Sequence, residues 1–184
     1  MKPVRRLARK RLRLIALCLC MLTTDLVSIH SEAASVQEEQ VKAAILYKLS
    51  RFIQWPGKVR TDTLTICMLG QAPLNSYASS LKGRKSMNQT IDVRILTAFD
   101  GAAALCNVLF VNESVGNQLE HILKSLNNTP VLTISDIRNF AQQGGMIELA
   151  REDNRIAFIL NLSATRTAGI VISSQLMKLA RVIR

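Results

Sequence analysis

Cys67 and Cys106 are the residues whose chemistry matters most in this chain. Each sits in an apolar run, Thr63-Leu64-Thr65-Ile66-Cys67-Met68-Leu69 and Cys106-Asn107-Val108-Leu109-Phe110-Val111. A cysteine in such a place is a nucleophile, a metal ligand, an inert core atom or half of a disulfide. A nucleophilic thiolate needs a base and an orienting group. The chain has two histidines, His30 and His121, and only His121 lies beyond the first 33 residues. No His/Cys group has zinc spacing. The adjacent acids Glu152 and Asp153 lie between two apolar runs, where a solvated turn explains them better than acid/base work. Ser173-Ser174 reads as a helix cap, since His121 is remote in sequence. The turn Leu69-Gly70-Gln71-Ala72-Pro73 has one glycine and lacks both the Gly-x-Gly-x-x-Gly and the Walker patterns. Pro73 also removes an amide that would hold phosphate. Asn112-Glu113-Ser114 and Asn161-Leu162-Ser163 fit the glycosylation pattern, but so short a match arises easily by chance. The sequence therefore gives no positive sign of catalysis, and no catalytic, cofactor-binding or metal-binding residue is assigned. Were the chain an enzyme, Asp136 and Glu148 are the carboxylates whose removal would show it.

The compartment decides among the cysteine readings. The 184 residues carry a formal charge of +11. Seven of the 24 basic residues, Lys2, Arg5, Arg6, Arg9, Lys10, Arg11 and Arg13, precede position 14. An apolar run follows, Leu14–Leu22, much shorter than the roughly 20 residues a membrane-spanning helix needs. Small residues then appear in Ser31-Glu32-Ala33-Ala34. These are the parts of a secretory signal peptide, residues 1–33, cleaved near Ala33 or Ala34. The remainder is only mildly basic and has no basic run, which argues against nucleic acid as a partner. An exported chain meets oxidising conditions, and cleavage leaves two cysteines. A Cys67–Cys106 disulfide is expected, with two separate buried thiols as the alternative. On the chain-entropy model, closing a loop of about 39 residues stabilises the fold by about 4 kcal/mol.

The elements that must position these residues follow from periodicity. Residues 36–54 place Val41, Ile45, Leu49 and Phe52 on one helical stripe, ended by Trp55-Pro56-Gly57. Trp55 reads as a hydrophobic plug under the helix end. Strands are expected at 64–69, 91–96, 106–111 and 131–135, and helices at 76–81, 114–126, 136–143 and 173–183. His121 falls off the apolar stripe of its helix and is expected in solvent. Residues 146–150 and 155–160 flank a polar turn and make a β-hairpin. Alternating strands and helices imply a mostly parallel sheet covered on both faces. The expected fold is thus α/β, a single-domain (36–184) Rossmann-like three-layer sandwich with a C-terminal β-hairpin. A strand order beginning 2-1-3 makes the two cysteine-bearing strands neighbours.

The order of short motifs along residues 42–176 resembles the YfiR family of small exported bacterial proteins. The motifs are Lys42-Ala43-Ala44-Ile45-Leu46-Tyr47-Lys48 leading to Arg51-Phe52-Ile53-Gln54-Trp55-Pro56, then Ile66-Cys67-Met68-Leu69-Gly70 and Leu105-Cys106-Asn107-Val108-Leu109-Phe110-Val111. Pro130-Val131-Leu132-Thr133-Ile134-Ser135-Asp136 and Gly144-Gly145-Met146-Ile147 come next. Phe158-Ile159-Leu160-Asn161-Leu162 and Ala168-Gly169-Ile170-Val171-Ile172-Ser173-Ser174-Gln175-Leu176 complete the series. The resemblance implies a periplasmic repressor. It would bind the periplasmic domain of an inner-membrane diguanylate cyclase, or of a sensor kinase, and hold it inactive. Release would let cyclic di-GMP rise in the cytoplasm and promote biofilm. The family's cysteine pattern carries onto Cys67 and Cys106. The family's namesake has a second pair nearer its C-terminus, whereas this chain has no cysteine after Cys106.

The surface that meets the partner is placed in Asn161–Ile172, with Arg166 and Ile170 as contacts, and a homodimer is a further expected assembly. The competing reading is a periplasmic small-ligand receptor coupled to a sensor. It requires a largely apolar pocket at the carboxyl ends of the strands.

Overall fold

The computed structural model describes residues 25–57, 62–101, 105–153 and 155–183, and for 25–34 the backbone alone. The apolar run Leu14–Leu22 and most of the expected signal segment lie outside the described residues. The chain divides into two units, Met1–Glu38 and Glu39–Arg184. The described part of the first is helical from Asp25 onward. No helix among the described residues is long and apolar enough to cross a membrane.

In chain order the elements are α1 (Asp25–Leu49), a 3-10 turn (Ser50–Phe52), β1 (Ile53–Gln54), β2 (Thr63–Leu69), α2 (Leu74–Ser79), β3 (Lys85–Ser86), β4 (Gln89–Leu96) and β5 (Val108–Val111). A 3-10 segment (Glu113–Gln118) leads into α3 (Leu119–Ser125), β6 (Leu132–Ser135), β7 (Ile147–Glu152), β8 (Arg155–Asn161), α4 (Leu162–Thr167), β9 (Val171–Ile172), α5 (Ser174–Lys178) and β10 (Ala180–Ile183). Eight strands form one sheet in the order β10-β8-β7-β6-β5-β2-β4-β3, and β1 pairs with β9 apart from it. Pairing is parallel except at the β7–β8 hairpin and at β3–β4. β2 lies between β4 and β5, the 2-1-3 order that makes the two strands expected to bear the cysteines neighbours.

The side-chain alternation of β2 divides the core. Leu64, Ile66 and Met68 face one layer, packed with Ala43, Leu46 and Leu49 of α1 and with Leu74, Ala78 and Leu176. Cys67 and Leu69 face the other, against Leu119 and Ile122 of α3 and the ring of Phe140. Each large apolar side chain fully withdrawn from water contributes about 1.5–3 kcal/mol. Both faces are covered, so the Rossmann-like three-layer α/β sandwich stands.

Three expected elements differ. The buried stripe of α1 is Lys42, Ala43, Leu46 and Leu49, while Val41 is exposed and Ile45 half-buried. Ile45 and Leu46 are both apolar, so periodicity alone leaves the phase open; the ion pairs of Lys42 turn it inward. Residues 137–144 form turns rather than a helix. Their backbone is held from outside: Glu148 accepts from the amides of Asn139 and Ala141, and Asn161 Nδ2 donates to the Ala141 carbonyl. Asn139 is left-handed (φ 61°), which breaks a helix. The expected helix 173–183 is only α5, because Ala180–Ile183 pairs in parallel with Phe158–Asn161. The expected cap holds there: Ser173 Oγ accepts from the Leu176 amide.

Candidate functional site

In open α/β sheets ligands bind outside the carboxyl ends of the strands, where the strand order reverses. Here that place lies between β2 and β5. Gly70, at φ +92°, ends β2, and a Cβ on it would meet the Ser114 side chain. The groups around it are joined to one another. The Gly70 amide donates to the Leu96 carbonyl (2.9 Å), the Gln71 amide to Ser114 Oγ (2.9 Å), and the Asn112 amide to the Leu69 carbonyl (3.0 Å). Ser114 N donates to Asn112 Oδ1, and Asn75 Nδ2 to the Gly70 carbonyl. The amides of Gly70, Gln71, Asn112 and Ser114 are thus engaged, while Asn75 Oδ1 is buried without a partner. Asn112 is buried in this network as the cap of the 3-10 segment. Asn161 caps α4 in the same way.

Asp136 follows β6 on the same carboxyl side of the sheet. Its Oδ2 lies 2.7 Å from Lys42 Nζ, which also meets Glu39 Oε1 at 3.1 Å. Lys42 is only 5% exposed. Both carboxylates are partly exposed, 17% for Glu39 and 24% for Asp136, so the cluster is part-buried and ties α1 to the residue after β6. Glu148, 4% exposed, is committed to the two loop amides. The two carboxylates named as enzyme candidates are thus each occupied by a different structural task.

Cys67 and Cys106 form a disulfide, with Cα atoms 5.8 Å apart. Both are buried. Cys106 lies just before β5 rather than within it. Asn107, next to it, extends the pairing: its Oδ1 accepts from the Thr65 amide at 2.8 Å, and its carbonyl accepts from Trp55 Nε1 at 3.2 Å. Trp55 packs half-buried against the core. His121 is exposed, edge-on to Phe99 at 6.2 Å. Glu152 lies 3.5 Å from Arg181. These polar groups are spread over the molecule and do not converge in one cleft.

The sequence-predicted contacts Arg166 and Ile170 do not share a surface. Arg166 is exposed on α4, but Ile170 is 2% exposed and belongs to the core. A buried side chain presents nothing to a partner, so only Arg166 remains available. The structure instead exposes the flank formed by β8 and β10. Leu179 is 71% exposed, Val182 is exposed beside it, and Ile156 and Phe158 are half-buried. A hollow of about 500 Å³ is lined by these β8 residues, Arg155, Leu179 and Arg181. Sequence reasoning missed this flank. The β-branched pair in Ala180-Arg181-Val182-Ile183 was its one signal, masked by an equally good helical spacing.

A family model described as YfiR/HmsC-like matches residues 39–181. Among solved structures, the chain is similar to the ABC domain of a Streptococcus pneumonia protein crystallised in complex with L-Trp. The TM-score is 0.52 at 11% sequence identity, covering 79% of this chain and 60% of that one. At that identity the likeness concerns the fold alone.

Proposed function

The chain belongs to the YfiR/HmsC-like family, and from that premise we propose that it represses a membrane-anchored diguanylate cyclase, or a related sensor, by binding its periplasmic domain. Regulation without catalysis goes with the family. The observation that carries the reading is the family match, which spans nearly all of the second unit. In this reading residues 1–33 are a signal peptide cleaved near Ala33 or Ala34, and residues 36–184 act in the periplasm. Arg166, exposed, serves as a partner contact. Two structural features support a binding role. The position where the fold would hold a small ligand is filled by the Gly70–Asn75–Asn112–Ser114 network. The disulfide suits an oxidising compartment.

Deletion of the gene tests the proposal. Cellular cyclic di-GMP should rise at least several-fold, and the intact gene supplied in trans should restore it. An unchanged level in the deletion strain removes the cyclase as the target. Capture of the purified periplasmic domain of the neighbouring membrane protein would then identify a different sensor.

A further inference from the structure

The two ends of the eight-stranded sheet are finished differently. At β3, the Tyr47 hydroxyl donates to the Lys85 carbonyl at 2.8 Å. Ser50 Oγ donates to the Tyr47 carbonyl and lies 2.7 Å from Ser86 Oγ, so Ser86 supplies the proton of that second bond. At the other end, β10 is hydrogen-bonded to β8 and, among the described residues, to no further strand. A strand paired on one side points alternate N–H and C=O groups outward, a template for another strand. Edges are protected by shortness, charge, a proline, a bulge or a covering segment, and β10 has the first two, being four residues long with Arg181 exposed. Residues 179–183 contain no proline, and the register runs without a break from Ala180↔Phe158 to Ile183↔Asn161.

We propose that the outer edge of β10 docks an extended, acidic segment of a protein partner by strand addition; this rests on the reading that the chain works by binding a protein. Charge selects the occupant. Lys178, Arg181 and Arg155 are exposed around the edge; the described carboxylates beside them are Glu152, which already lies 3.5 Å from Arg181, and Asp153 in the hairpin turn before Arg155. A second copy of this chain, added antiparallel about a two-fold axis, would bring the same cations together, and like charges across a strand pair are unfavourable. A segment alternating acidic and apolar residues meets both faces of β10. Its carboxylates face Arg181, and its apolar side chains lie along Val182. Strand addition of this kind takes affinity from main-chain hydrogen bonds and selectivity from alternate side chains.

The probe is a labelled peptide, Glu-Val-Glu-Val-Glu-Val, and its counterpart with lysine at every glutamate, titrated with the whole protein by fluorescence anisotropy at low salt. The acidic peptide should bind at least ten-fold tighter than the basic one. Neighbouring residues point their amides to opposite edges, so one of Arg181→Pro and Val182→Pro loses only an outward N–H. The one that keeps the wild-type melting temperature should abolish binding. Arg181→Glu should weaken the acidic peptide at least ten-fold even if both prolines unfold the protein. Equal binding of both peptides, no binding of either, or full binding by the folded proline variant overturns the proposal. So does a dimer, seen by sedimentation, that Arg181→Glu or the folded proline variant dissolves. In the deletion strain, Arg181→Glu should fail to lower cyclic di-GMP where the wild type succeeds. A variant that represses fully sinks the edge and leaves the functional reading intact. A wild type that does not repress sinks that reading, and the peptide then decides the edge alone.

Discussion

The flank that ends in β3 and the flank that ends in β10 belong to one sheet but are finished by opposite rules. On the first, the disulfide clasps β2 to the residue that leads into β5. The strand-order switch is filled by Ser114, Asn112 and Asn75, and at the last edge Tyr47 caps the Lys85 carbonyl while Ser50 meets the Ser86 hydroxyl. On the second, an ordinary antiparallel hairpin carries one short added strand, with Leu179 and Arg181 in solvent. Most buried polar groups on the closed flank are spent on one another, Asn75 Oδ1 being the exception. Those on the open flank are left for something else to use. The comparison teaches that stability and recognition are assigned to different ends of the molecule.

The largest test of that division removes the sulfur bridge. Cys67→Ala with Cys106→Ala should lower unfolding free energy by about 4 kcal/mol on the chain-entropy model, measured by urea denaturation. A loss within error of zero would show that the closed flank does not depend on its clasp. Opening the sealed edge comes next. Tyr47→Phe together with Ser50→Ala removes three hydrogen bonds, and at roughly 0.5–1.5 kcal/mol for each the thermal midpoint should fall. Self-association by sedimentation should rise, since two edges would then be open. Monomeric behaviour after that change would mean the hydroxyls are not what protects β3. On the open flank, Leu179→Ser should alter stability by no more than about 0.5 kcal/mol, as for other exposed positions. A change of 2 kcal/mol in the same urea experiment would place Leu179 in the core economy and erase the contrast.

The smallest effect is electrostatic. Asp92 on β4 is held below its ordinary carboxylate value chiefly by the hydrogen bond from Arg94 (3.0 Å), with Lys82 adding to the effect at 3.3 Å and burial opposing it. A depressed carboxyl pKa contributes stability that is present above the unfolded value and is lost as pH falls through the folded one. Asp92→Asn should therefore lower stability slightly at neutral pH and leave it unchanged at acid pH below the folded value, which flattens the acid limb of the stability curve. Both cations are largely solvated, so the effect is small. An acid limb identical to wild type, followed by equilibrium unfolding between pH 5 and 2, would remove Asp92 from the ledger of the closed flank.

The parts legible in the sequence are those whose pattern had one solution. The alternation through Leu64, Ile66 and Met68, with Cys67 between, permits only a strand buried on both sides. The hairpin around Glu152-Asp153 was equally clear, because two apolar runs bracket four polar residues. The pairing of Cys67 with Cys106 followed from a count of cysteines and a compartment. Illegible were positions whose role is set by a distant partner. Lys42 is buried because Asp136, 94 residues away, meets it. Residues 137–144 look helical until Glu148 and Asn161 take their amides and carbonyl. Ile170, expected at the surface, is drawn into the core beside Leu176 and Ile172.

By itself the sequence determined the α/β class, the disulfide and the family, since these rest on residue type and on periods of two or 3.6 read along the chain. Only the tertiary structure decided which edge is closed and which is open. Tyr47, Ser50 and Ala180–Ile183 have the same local propensities wherever they are placed. What differs is the neighbour that folding brings: a carbonyl on β3 for Tyr47, a serine for Ser50, and for β10 a partner on one side alone.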